Sequence, residues 1–156
     1  MIRQFCDGDA IACARLIREC ILCEPDLAVD VRRRLLAAET EELMMRRSRL
    51  FYVAVSELEG AIEGLAGLEL NEIRLLYVSP AQQRKGIGSA MLNHLEAMVP
   101  PGFFSDIFVY AAPGAEEFYM ARGYRRRGEY DFTDGELTVP TVFMTKPVKE
   151  GRVSGP

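Results

Sequence analysis

Three apolar runs of period-two character follow one another between Leu50 and Val78, and the last leads directly into a glycine-punctuated segment that opens a helix. Leu50 to Val55 and Ala61 to Leu70 flank the turn Glu57-Leu58-Glu59-Gly60 and predict a β-hairpin, with Gly64 and Gly67 weakening the alternation of the second arm. Asn71 interrupts, and Glu72 to Val78 (EIRLLYV) is the most apolar strand of this group, closed by Ser79-Pro80. From Gln83 the period lengthens to that of a helix, which Pro100-Pro101 ends. A chain that changes period in this way must place helices against a sheet.

The flanking segments extend the same pattern. IRQF alternates like a short strand, and Asp7-Gly8-Asp9 supplies a turn and an N-cap for a helix carrying Ile11, Ile17 and Ile21. Pro25 breaks it, and Asp26 to Arg47 is expected to form a second, amphipathic helix around Val31, Leu35, Leu36, Leu43 and Met44. Beyond Pro101, Asp106 to Tyr110 predicts a buried strand and Pro113 to Arg122 a short helix with Gly123 past its end. Tyr124 to Phe132 and Val139 to Thr145 predict a closing strand pair. The expectation is one α/β (α+β) domain over residues 1–149, with a flexible tail at 150–156. Its mixed, mostly antiparallel twisted sheet would have six to seven strands and about four flanking helices.

Charge and cysteine content narrow the function classes. Nineteen Lys and Arg against 23 Asp and Glu give a net charge of −4, which provides no general field for nucleic acid or an anionic membrane. Arg32-Arg33-Arg34 and Arg46-Arg47 are interleaved with glutamates, as on a solvated helix face. No run of about 18 or more apolar residues is present, and the charged N-terminus lacks the apolar core of a signal peptide, so a cytoplasmic location is expected. Cys20 and Cys23 form a CxxC, but Cys13, Ile17, Cys20 and Ile21 recur at helical spacing, and His94 is the only histidine. The cysteines therefore read as small apolar helix residues, and no metal is expected.

Chemistry concentrates in Tyr77 to Ser89, YVSPAQQRKGIGS. The first amides of a helix have no intrahelical partner, so a loop whose glycines admit close approach is a site for phosphate or pyrophosphate. Arg84 and Lys85 add positive charge there. The spacing is neither a Walker loop nor a dinucleotide fingerprint. Gln83-Arg84-Lys85-Gly86-Ile87-Gly88 instead resembles the [RQ]-x-x-G-x-[GA] acyl-CoA loop of the GNAT superfamily of N-acetyltransferases, and Ala115 to Tyr124 (AEEFYMARGY) resembles that superfamily's second signature, A-x-x-FY-x-x-x-G-[FY]. The predicted element order is also that of the superfamily, so the resemblance covers nearly the whole chain.

The resemblance implies acetyl-CoA as acyl donor and direct attack by a primary amine, on a small molecule or a peptide. It implies that the Leu76 amide faces the thioester carbonyl, and that the strand around Tyr77 and Val78 pairs with the pantetheine arm. The amides of Arg84, Lys85, Gly86, Ile87, Gly88 and Ser89, next to Gln83, would take the pyrophosphate. Tyr119 would be the general acid toward the leaving thiolate, and Glu72 stands where several members place a general base. A surface charge is the competing reading of Glu72, with Glu69 and Glu63, on one strand face by period-two spacing, as fallback bases. Ala112 replaces the signature's usual Asn. Glu63, Glu69, Glu72, Asp131, Asp134 and Glu136 lean the acceptor toward a cation. No cysteine lies near the loop in sequence, which favours direct transfer. A non-catalytic acyl-CoA-binding domain is the alternative, and the closing strands leave a homodimer open.

Overall fold

The computed structural model describes residues 1–135 and 137–150, without the side chains of Asp134 and Leu137. The expected tail thus lies, apart from Glu150, outside the described residues, as do Glu136 and the carboxylate of Asp134. In chain order the elements are β1 (Ile2–Gln4), α1 (Ala10–Cys23), α2 (Val29–Ala38), α3 (Glu41–Leu50), β2 (Tyr52–Leu58), β3 (Ala61–Glu69), β4 (Glu72–Val78), α4 (Ile87–Met98), β5 (Asp106–Ala111), α5 (Glu116–Met120), β6 (Arg125–Asp134) and β7 (Leu137–Pro147). The strands form a seven-stranded sheet of order β1-β2-β3-β4-β5-β7-β6. Every adjacent pair is antiparallel except β4 with β5.

The helix expected over Asp26 to Arg47 is two helices. Thr40 is extended (φ −117°, ψ 165°) and its side chain accepts from the Leu43 amide at 3.2 Å, so it caps α3 and ends the helical run before it. Glu39, in the break, is buried and held by Arg47 at 2.6 and 2.7 Å, which ties the junction to the body of α3. The helix expected from Gln83 begins only at Ile87, because Arg84 (φ 62°) and Gly86 (φ 85°) adopt left-handed backbone that no helix accommodates.

Two apolar clusters cover the two sheet faces. Met91, Leu92 and Leu95 of α4 pack with Ala66, Ile73, Ile107, Val109, Val142 and Met144. On the opposite face Cys13, Leu16, Ile17 and Ile21 of α1 and Met44 of α3 pack with Val53, Val55, Leu65 and Leu75. The glycines that weakened the β3 alternation are sites of close approach. A Cβ at Gly64 would lie 2.9 Å from the Met91 sulfur, and one at Gly67 would lie 2.7 Å from the Phe51 ring.

Candidate active site

The site begins with an irregularity in β4. Gly67 pairs with Leu75 and Leu68 with Ile73, leaving Arg74 as an extra residue. This bulge reverses the side-chain alternation: Ile73 joins the α4 cluster while Leu75 joins the α1–α3 cluster. Leu76 then leans on the α4 side and Tyr77 on the other. β4 pairs with β5 only at Glu72–Phe108 and Ile73–Val109. From Arg74 to Val78 no β5 residue is in register, so the parallel strands part and this side of β4 is open to an extended ligand.

The opening leads to the glycine loop. Pro80–Gln82 makes one 3₁₀ turn, and Arg84 and Gly86 are left-handed immediately before α4. Gly86 is the N-cap and supplies no side-chain cap, so the amides of Ile87, Gly88 and Ser89 have no intrahelical acceptor. A Cβ on Gly86 would meet nothing within 4 Å, whereas one on Gly88 would press the Phe118 ring at 3.2 Å. Gly86 is thus required by backbone shape and Gly88 by packing. Lys85 is exposed and bonds Gln82 Oε1 at 2.8 Å, and Gln83 Nε2 donates to the Val78 carbonyl at 3.2 Å.

Tyr119 of α5 is buried, with Phe118 and Tyr124 edge-on at centroid distances of 5.1 and 5.3 Å. Burial, reinforced by neighbouring Tyr77, holds its phenol above the usual range, and no hydrogen bond to a described residue perturbs it. Tyr77 is pushed up to about 12, first by burial and then by the Glu39 carboxylate. Both phenols therefore keep their protons at neutral pH. Arg122, to which the sequence argument gave no role, donates to Ser89 Oγ and to the Phe118 carbonyl, joining the start of α4 to α5. Its place four residues after Phe118, just past the end of α5, was the available signal.

The carboxylates separate. Glu72, half-buried, shares the Arg74 guanidinium with Glu69 at 3.5 and 3.4 Å, and the two stand opposite each other across β3 and β4. Glu63 does not join them. It is the extra residue of a second bulge, between Ser56 and Glu57 of the partner strand, and its carbonyl accepts from Ser79 at the far end of β3. Six residues of strand, about 20 Å, separate it from Glu69, so Glu63 belongs to the loop end of the sheet.

One cysteine is closer than its sequence position indicated. Cys20 Sγ donates to the Val78 carbonyl at 3.2 Å, because α1 crosses the end of β4. Burial first, then the neighbouring Cys23 and Glu19, push this thiol up to about 11, so it is a poor nucleophile. All four cysteines are free thiols. Ala112 is exposed and contributes only its carbonyl, which accepts from the Ala115 amide at 2.8 Å. Several arginines are paired: Arg126 with Glu116 and Glu129, Arg47 with Glu39, and Arg127 donates to Thr145.

A parted β4–β5 pair beside an uncapped glycine loop can be compared with known proteins. The acetyltransferase (GNAT) domain model matches residues 29–144. The chain belongs to the GNAT acetyltransferase family. It is thus an acyltransferase enzyme by family. A GCN5-related N-acetyltransferase from Rhodopseudomonas palustris superposes with TM-score 0.87 at 22% identity, covering 94% of each chain. The PaiA N-acetyltransferase of Thermoplasma acidophilum, solved with coenzyme A, gives 0.74 at 17% identity over 94% of this chain and 98% of its own. A phosphinothricin acetyltransferase from Sinorhizobium meliloti, solved with acetyl-CoA, gives 0.71 at 23% identity over 100% and 92%. No curated protein matches the chain in sequence. Among the described residues, no helix is long and apolar enough to cross a membrane.

Proposed function

We propose that this GNAT chain transfers the acetyl group of acetyl-CoA to a primary amine by direct attack. The observation that carries this reading is the parting of β4 from β5 after Ile73, which leaves Leu76 to Val78 without a β5 partner and ends at the uncapped start of α4. In this reading the pyrophosphate takes the amides from Arg84 to Ser89, with Lys85 and Arg84 nearby. The pantetheine arm lies along Tyr77 and Val78, in part replacing the Gln83 and Cys20 side chains at the Val78 carbonyl.

The Leu76 amide donates to the thioester oxygen as negative charge builds there. Glu72, whose Arg74 partner is shared with Glu69, accepts a proton from the ammonium directly or through water, freeing the amine to attack the thioester carbon. The C–S bond then breaks, the proton of Tyr119 passes to the departing thiolate, and the second proton of the attacking nitrogen returns to the Tyr119 phenolate through water, leaving a neutral amide and free CoA thiol. Because Tyr119 is buried with a raised pKa, it remains a proton donor across the working range. Cys20 stays a thiol and takes no acyl group. A cytoplasmic location is part of this reading, supported by four free thiols and by the acetyl-CoA donor.

The test is mass-spectrometric detection of N-acetylated product from an amine and peptide panel, with calorimetry of acetyl-CoA binding alongside. Tight acetyl-CoA binding with no product from any acceptor would overturn the transferase reading in favour of an acyl-CoA-binding domain.

A further inference from the structure

The sheet face that carries α1 to α3 also carries an aromatic array those helices leave uncovered. Tyr110 is its centre. Its ring stacks on Phe143 at 5.1 Å between centroids, meets Phe132 edge-on at 5.1 Å and Phe108 at 5.9 Å, and tilts against Tyr130 at 5.0 Å. Strand register explains the common orientation. Tyr110 faces Phe143, Gly128 faces Phe143 from the other side, and Tyr130 faces Thr141. The alternate residues Ile107, Val109, Val142 and Met144 point the other way into the α4 cluster. None of the five aromatics packs against either buried cluster. Tyr130 and Phe132 are 49% and 45% exposed, a cost that neither apolar core explains.

The position of the array relates it to the reaction. Phe108 is in register with Glu72, one residue before Ile73–Val109, the last β4–β5 pair before the strands part. Glu72 and Glu69 share one guanidinium, Arg74, so the β4 end of the array carries one negative charge in excess. α2 contacts β7, and its Arg34 approaches Gly135 in the turn after β6. Arg127 of β6 donates from Nε to Thr145 at 2.8 Å, and Thr145 is in register with Phe108, so this cation stands across β7 from the inner end of the array. The array therefore runs from a pair of carboxylates toward an edge, and its inner end adjoins the mouth where the thioester would lie.

We infer that the acceptor is a primary amine with an aryl body, held on the Tyr110–Phe143 surface with its ammonium beside Glu72. This rests on the transferase reading above. Aromatic faces attract both aryl rings and cations, and the excess carboxylate favours a cationic amine over a neutral apolar ligand or a second copy of this chain.

The experiment compares 2-phenylethylamine, spermidine and a lysine-containing tetrapeptide in two measurements. The first is calorimetric binding to the protein–CoA complex, and the second is product formation with saturating acetyl-CoA. Phenylethylamine is expected to bind about tenfold more tightly than the other two. Tyr110→Ala is expected to weaken that binding about tenfold with the acetyl-CoA Kd unchanged. Phe132→Ser, at the exposed edge, is expected to act in the same direction should Tyr110→Ala not fold. Tighter binding of spermidine or peptide, or equal loss for all three acceptors, would overturn the inference whether or not turnover is seen. So would sedimentation showing a dimer that Phe132→Ser dissociates, which assigns the face to a second copy. Absence of any acetylated product despite phenylethylamine binding would instead count against the transferase reading alone.

Discussion

Arg122 lies 3.6 Å above the centre of the Phe118 ring and donates from Nε to Ser89 Oγ at 2.8 Å. Because Phe118 also abuts Gly88, this one side chain fixes the start of α4 against α5. The amides proposed to hold pyrophosphate are thus held in place by a residue of the second signature segment.

Arg122→Lys removes the planar stack and the donor to Ser89. The expected outcome is a loss of about 2 kcal/mol of stability, read by urea denaturation, together with an acetyl-CoA Kd raised about tenfold. An unchanged Kd would detach the clamp from the loop.

Gly86→Val introduces a β-branched side chain at φ 85° and fills space that is empty in the fold. Strain of about 1 to 2 kcal/mol is expected, and acetyl-CoA binding should disappear from calorimetry while the far-ultraviolet circular dichroism stays native. Retained affinity would remove the phosphate-loop assignment.

Tyr119→Phe keeps the ring packing against Phe118 and Tyr124. Loss of the proton donor should lower kcat by about 100-fold with the acetyl-CoA Kd unchanged. Since the native phenol is held above its usual range, and its protonated form is the active one, wild-type turnover should persist as pH rises to about 10. A fall below that pH would assign the limiting group elsewhere.

The Asp9 carboxylate, hydrogen-bonded first by Arg3 and also by the Cys6 amide, is lowered from 3.8 to about 2. A depressed carboxylate stabilises the fold fully above its unfolded pKa and loses that effect as pH falls through its folded pKa. About 2 kcal/mol should therefore vanish between pH 4 and pH 2. Asp9→Asn should flatten that interval in urea titrations, and an unchanged slope would contradict the assignment.

Glu39→Ala leaves Arg47, whose side chain is 20% exposed, without its bidentate partner. Removing one member of such a pair is expected to cost about 3 kcal/mol. A thermal shift indistinguishable from wild type would show that the α2–α3 junction does not depend on it.

The order of strands and helices was legible because it rests on local spacing, and so were the glycine loop and the Phe118-Tyr119 segment. The α2–α3 break was also written locally, in Thr40 followed by two glutamates, but continuous helical periodicity outweighed the cap. The fate of the carboxylates was not legible. Even spacing placed Glu63 on one face with Glu69, but six residues of strand keep the two apart, and the bulge that leaves Glu63 without a partner depends on how β2 pairs with β3. Cys20 likewise meets Val78 only because α1 crosses the end of β4.

The sequence alone determined a mixed sheet, a helix-opening glycine loop and the residue types available for acyl transfer, since period, turn chemistry and backbone freedom act over a few neighbouring residues. Tertiary structure decided where β4 parts from β5, which carboxylates share Arg74 and that Arg122 joins the two signature segments. These depend on register and bulges between strands distant in sequence, where one extra residue moves every following side chain to the other face.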